Sequence, residues 1–346
     1  MECCEYECDG RHAHVSGGRV YIATTAGLQA LSTTTGAALW TALPGQDFYG
    51  SPTITINPAS VYIASTGGDV YSVNAATGSV NWTAPLGAAS YSSPAAVGGI
   101  VYVGCSDDKL YALQALTGKI VWTYTTGASI DSAPAVVAGV VYVGSKDDSL
   151  YALNAATGAL LWSYATGGQI ESSPAVANGI VHVSSDDGKI YALRAVASPI
   201  SGVTAGTLLW SSTGALYPSP AVAHGKVFYG YTTLYAANGR TGSTIWSFTP
   251  DTNLRGRIVV ANGVVYATSA SGILYALDES VGTELWHAQS GSPYLGGLSI
   301  SDGIVYVTAY EVGTTSYALS AGSDIVRRHA PALSSLHPDP RLVVTR

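Results

Sequence analysis

Lysine and arginine are scarce in this chain: the two together number 15 against 22 Asp and Glu, for a formal net charge of −7. That balance offers no basic footprint for nucleic acid, and no nucleic-acid partner is expected. Charged residues of both signs make up only 11%, so the surface must be built largely from Gly, Ala, Ser and Thr, a composition that suits a secreted or envelope protein. Long apolar runs are missing as well. No stretch reaches the roughly 18 residues that a membrane helix requires, and no secretory signal opens the sequence. The expected location is periplasmic or secreted, without a membrane span, any signal peptide lying outside this sequence.

Cysteine is equally sparse. Cys3, Cys4 and Cys8 crowd the N-terminus and Cys105 stands alone where the neighbouring segment carries Ser145, so there is no disulfide framework. The N-terminal trio lacks the second spaced pair that a structural metal site would use, and no metal or cofactor is expected. No nucleophile elbow, zinc signature or phosphate loop appears.

What the chain does contain is one pattern repeated about every 40 residues. In residues 132–162 it runs through Pro134-Ala135-Val136, a turn at Ala138-Gly139, then Val140 to Gly144. A polar turn at Lys146-Asp147-Asp148 leads into Leu150-Tyr151-Ala152-Leu153, a turn at Ala156-Thr157-Gly158, and Leu161-Trp162. Short β-branched and aromatic runs between Gly, Asp and Asn turns read as a four-stranded antiparallel meander. Large and small side chains alternate in the middle runs, as a sheet packed on both faces requires. Eight copies can be traced, the last with Ile325-Val326 where a tryptophan is expected. A radial array buries both faces of each sheet and protects most strand edges. The expected fold is therefore all-β, an eight-bladed β-propeller of four-stranded antiparallel blades over residues 12–328. Residues 1–11 form an N-terminal segment and 329–346 a flexible tail. The last blade could finish with residues 324–328 or borrow residues 2–6 as its outer strand.

The recurring motifs, Ser132-Ala133-Pro134-Ala135-Val136, Val141-Tyr142-Val143-Gly144, Asp187-Gly188-Lys189-Ile190-Tyr191-Ala192-Leu193, Ala156-Thr157-Gly158 and Trp162, resemble the pyrroloquinoline-quinone-like repeat over about residues 13–326. That family includes eight-bladed quinoprotein alcohol dehydrogenases, the outer-membrane β-barrel assembly lipoprotein and sensor domains of bacterial receptor kinases, so the resemblance implies a fold more firmly than a function. The dehydrogenases imply a vicinal disulfide beside the quinone, a calcium ion, an Asp base and a tryptophan floor. Here the only adjacent cysteines are Cys3 and Cys4, outside the repeats, and the only sizeable insertion is 197–204. A quinone enzyme is disfavoured. An assembly lipoprotein would need a lipid-attachment cysteine behind a signal peptide, and no hydrophobic segment precedes Cys3 or Cys4.

Residues present in nearly every copy serve the scaffold. Trp40, Trp82, Trp122, Trp162, Trp210, Trp246 and Trp286 follow a turn glycine at a fixed place and read as packing between blades. The glycines before them, such as Gly118 and Gly158, should supply positive φ. Asp107-Asp108, Asp147-Asp148 and Asp186-Asp187-Gly188 resemble fragments of a calcium loop without its further oxygen ligands and read as turns. His182, in place of a strand tyrosine, and His224, in a turn, read as structural.

Function should lie where the copies differ. In the connection entering each inner strand, the residue three before the proline position is successively Tyr49, Tyr91, Asp131, Glu171, Tyr217, Arg255 and Leu295, with Tyr294 alongside. In a propeller these connections converge on one mouth of the central channel. The expectation is a monomeric, non-catalytic binding or scaffold propeller. It would present a polar and aromatic mouth to a protein partner or small polar ligand. The alternative is an enzyme acting on a small polar or sugar-like substrate with the carboxylates and tyrosines of that mouth.

Overall fold

The structure, a computed structural model, describes residues 13–24, 26–57, 59–196, 204–289, 295–301, 303–309, 315–320 and 342–345. Blade four shows how the sequence pattern becomes architecture. Its strands are Ala135–Val137, Val140–Gly144, Ser149–Asn154 and Leu160–Ala165, hydrogen-bonded in that order from the channel outwards. The second strand is buried throughout, and in the third Leu150, Ala152 and Leu153 are buried and the rest half-buried, because each sheet is covered on both faces by its neighbours. Only the outer strand alternates exposed and half-buried residues. The clusters reflect this stacking: Tyr142, Leu150 and Ala152 of blade four pack on Val181, Val183 and Leu193 of blade five.

Among the described residues, seven sheets share this design, and they correct the expectation of an eight-bladed propeller: the regular blades number seven. Each of the seven is built from contiguous sequence, carries a tryptophan in its outer strand, and has a register shift between its third and fourth strands. In blade four the pairing Ala152↔Trp162 is followed by Leu153↔Leu160, and the same bulge recurs in the other six. The bulge takes up one extra outer-strand residue and twists that strand. The remaining sheet is of another kind. Its outer strand, Leu342–Thr345, comes from the far C-terminal stretch and pairs with Thr315–Ser320 without a bulge, from Ser316↔Thr345 to Leu319↔Leu342. With no tryptophan in the copy to anchor a regular outer strand, a distant segment takes the place. This sheet fills the sector between blades seven and one, where Tyr306 packs on Ala13, Val20 and Ile22. Residues 1–12 and 321–341, including both segments considered for closure and the N-terminal cysteines, lie outside the described residues.

Adjacent blades are locked by a repeated joint. The hydroxyl of Tyr102 (2.9 Å) and the indole N–H of Trp122 (3.0 Å), both in blade three, donate to the Ala155 carbonyl of blade four. Tyr21 with Trp40, Tyr62 with Trp82 and Tyr142 with Trp162 do the same to Ala75, Ala115 and Ala195. In blade five His182 replaces the tyrosine and meets the Gly239 carbonyl at 2.8 Å. Phe228 in blade six has no hydroxyl to offer. There the Glu279 carbonyl accepts from Trp246 and from the Lys226 ammonium instead. The tryptophans are therefore joints between blades.

Candidate functional site

Antiparallel succession puts the connection into each inner strand, and the turn between second and third strands, at one end of every blade. The two remaining hairpin turns lie at the other end. Asp131 and Glu171 enter blades four and five in such connections, and Lys146 sits in the second-to-third-strand turn of blade four. The Lys146 ammonium lies 2.8 Å from Asp131 Oδ2 and 2.8 Å from Glu171 Oε1, with the three side chains only 17–27% exposed. Burial alone would lower the Lys146 ammonium; its hydrogen bonds to Asp131 and Glu171 outweigh that and hold it well above the ordinary lysine range.

A third carboxylate belongs to the group. Asp186 occupies in blade five the place that Lys146 occupies in blade four. Burial among its neighbours, and then the charge of Glu171, push its carboxyl up to about 6, against the pull of Lys146. Asp186 is crowded on one side yet exposed to solvent on the other. This side of the mouth therefore carries three carboxylates around one ammonium.

The tyrosines form separate pairs. Tyr49 and Tyr91 meet edge to face with centroids 5.4 Å apart, and Tyr91 is 37% exposed. Tyr217, in left-handed backbone at φ 56°, packs edge to face on Tyr231, whose hydroxyl accepts from Asn253 Nδ2 at 2.8 Å. Arg255 is the second residue of the inner strand Leu254–Ala261 of blade seven and is half-buried. The arginine that reaches across is Arg257, whose Nη2 lies 3.4 Å from Ser173 Oγ of blade five. Tyr294 lies outside the described residues, and Leu295 is described only as part of a strand.

Sequence reasoning on one variable position missed Lys146, Asp186, Tyr231 and Arg257. The signal was available at two others. The second-to-third-strand turn reads Thr66, Ser106, Lys146, Asp186 through blades two to five, and Arg257 stands where other copies have the serine of Ser-Pro.

The acidic turns close on themselves. Asp147 Oδ2 accepts from the Tyr151 hydroxyl at 2.7 Å and the Gly127 amide at 2.6 Å, clamping the preceding connection. Asp187 accepts from Tyr191 and Lys189. Cys105 is fully buried and its thiol, pushed up to about 11 mainly by burial, donates to the Ala88 carbonyl as Ser145 does to Ala128. It acts as a serine substitute, not a nucleophile.

Fold and repeat together define a β-propeller of pyrroloquinoline-quinone-like repeats. The chain belongs to the family described as outer membrane protein assembly factor BamB, whose model matches residues 5–129, 117–198 and 196–330. Among solved structures, it is similar to BamB from Moraxella catarrhalis, with TM-score 0.76, 19% identity, and coverage of 88% of this chain and 95% of that one. The computationally designed Ika8 protein gives TM-score 0.76 at 18% identity, covering 90% and 97%. A quinohemoprotein alcohol dehydrogenase from Comamonas testosteroni gives 0.72 at 16%, covering 97% of this chain and 78% of that one. At these identities the likeness is one of fold. No curated protein sequence matches.

Proposed function

We propose that this protein is an extracytoplasmic binding scaffold of the outer membrane assembly factor kind, which holds a protein partner at the channel mouth. The observation that carries this reading is the Asp131–Lys146–Glu171 bridge. The two carboxylates of the acid–base alternative are both committed as acceptors to one lysine, which fixes them as a rigid acidic surface. Beside them stands Asp186, and further round the mouth the half-exposed pair Tyr49 and Tyr91. Fixed charge next to exposed aromatic edges suits a protein segment that carries lysine or arginine. The family description, outer membrane protein assembly factor, supports the same class of role.

The test is photo-crosslinking in the native envelope from a reactive residue at position 91, compared with one at position 157 on the opposite end. A discrete adduct from position 91 that disappears in the Asp131→Asn/Glu171→Gln double variant is expected. Equal labelling from both ends, or an adduct indifferent to the carboxylates, would remove the mouth from consideration.

One observation favours an enzyme of small polar substrates instead. Asp186, held at about 6, is placed in the range of a working acid or base. Turnover of a glycoside or similar substrate that follows a pKa near 6 and vanishes in Asp186→Asn would establish that reading over the scaffold.

A further inference from the structure

The end of the propeller opposite the mouth holds a cavity of about 650 Å³ between blades five and six. Its rim is made by the first hairpin turns of both blades and the last turn of blade six. We infer that this cavity is a binding site for a small organic oxyanion, a phosphate ester or carboxylate carried on an apolar body.

Charge is the first argument. Three of the chain's 15 lysines and arginines, Arg194, Lys226 and Arg240, line this one cavity, and among the described residues no Asp or Glu lines it, in a chain whose net charge is −7. The carboxylate of Glu279 is 95% buried and pairs with two of the lining groups, 3.2 Å from the Lys226 ammonium and 3.0 Å from His224 Nδ1. It orients those two groups from behind the wall. Arg194 and Arg240 have no carboxylate partner among the described residues, and Arg194 Nε is buried with no acceptor. Two guanidiniums beside one ammonium form the donor set that a phosphate or carboxylate takes up.

Shape is the second. All seven other sheets have an aromatic at this strand position, a buried tyrosine at Tyr21, Tyr62, Tyr102, Tyr142, Tyr266 and Tyr306 and a phenylalanine at Phe228. Blade five has the shorter His182, 2% exposed, and the cavity opens against it. His182 Nε2 faces the Gly239 carbonyl at 2.8 Å, a group that can only accept, so this nitrogen carries a proton. Ile180 and Val222 supply an apolar wall. The volume falls within the range of about 300–1,000 Å³ usual for small-molecule sites. The cation cluster, its two guanidiniums without a carboxylate among the described residues, and the histidine-for-tyrosine exchange all occur at the same joint.

Calorimetric titration of the full chain with phenyl phosphate, benzoate and phenol tests the inference. At least one of the two anions should bind with Kd below about 1 mM, and phenol at least about tenfold more weakly, because it lacks the oxyanion that the guanidiniums recognise. Whether phosphate or carboxylate is preferred identifies the source. Arg240→Ala, in an exposed turn where folding is not at stake, and Arg194→Met should each weaken that anion by about tenfold or more. Asp131→Asn, at the other end of the channel, should leave it unchanged. No binding by either anion, equal binding of phenol, or full affinity in Arg240→Ala would overturn the site.

Discussion

The indole of Trp122 lies over Gly158 of the next blade so closely that a β-carbon on that glycine would come within 2.6 Å of the ring. The glycine is needed twice: for its φ of 72°, and because the neighbouring blade docks on its bare α-carbon. The same contact joins Trp40 to Gly78, Trp82 to Gly118, Trp210 to Gly242 and Trp246 to Gly282. Gly158→Ala should therefore cost more than the roughly 1 kcal/mol of an ordinary unfavourable backbone, about 2–4 kcal/mol once the ring is displaced. Trp122→Ala should cost about 3–5 kcal/mol. In the double variant the two losses should fall short of their sum, measured by chemical denaturation.

Neighbouring inner strands are tied to one another around the channel by serines. The amides of Ser51, Ala133 and Ser173 donate to the hydroxyls of Ser93, Ser173 and Ser219 at 2.8, 3.1 and 2.9 Å. Between blades three and four the acceptor position is Ala133, which has no hydroxyl. Ala133→Ser should supply it and raise stability by about 0.5–1.5 kcal/mol, the net worth of one hydrogen bond. A lower midpoint in urea would show that the joint is not hydroxyl-limited.

Asp186 should make the protein less stable as pH rises. Its carboxyl binds a proton up to about 6 in the folded chain, because of burial and Glu171, against an ordinary value of 3.8. The folded state therefore holds more protons than the unfolded one between those values, and stability falls across that window and stays lower above it. Asp186→Asn should remove the fall and stabilise the protein at pH 7.5 by about 0.5–1 kcal/mol, the exposed side of the carboxyl screening the rest. Thermal melts at pH 4 and 7.5 check the sign.

His182 works in the opposite direction. Burial lowers its imidazole below the usual value of 6.5, so the joint is at full strength above that pH and weakens as pH falls through it towards the folded-state value. His182→Tyr restores the residue used at Tyr102 and Tyr142, and should flatten the loss of stability between pH 6.5 and 5 that the native chain shows in melting curves. An unchanged acid profile would place the sensitive group elsewhere.

Much of this molecule can be read from the chain because a propeller repeats its local rules. The spacing from Tyr142 through Gly158 to Trp162 fixes strand, turn and docking residue with short-range chemistry, so the meander and its joints are legible wherever the pattern holds. It stops being legible where the pattern fails. With Ile325-Val326 in place of a tryptophan, nothing local specified the strand Leu342–Thr345, and only the assembled ring showed that the expected eight blades are seven, with one irregular sheet beside them. The mouth shows the same division. Sequence variation singled out Asp131 and Glu171, but their joining through Lys146, and the gathering of Arg194, Lys226 and Arg240 around one cavity, depend on which turns of neighbouring blades come together. That is decided by packing across tens of residues, which no single copy of the repeat encodes.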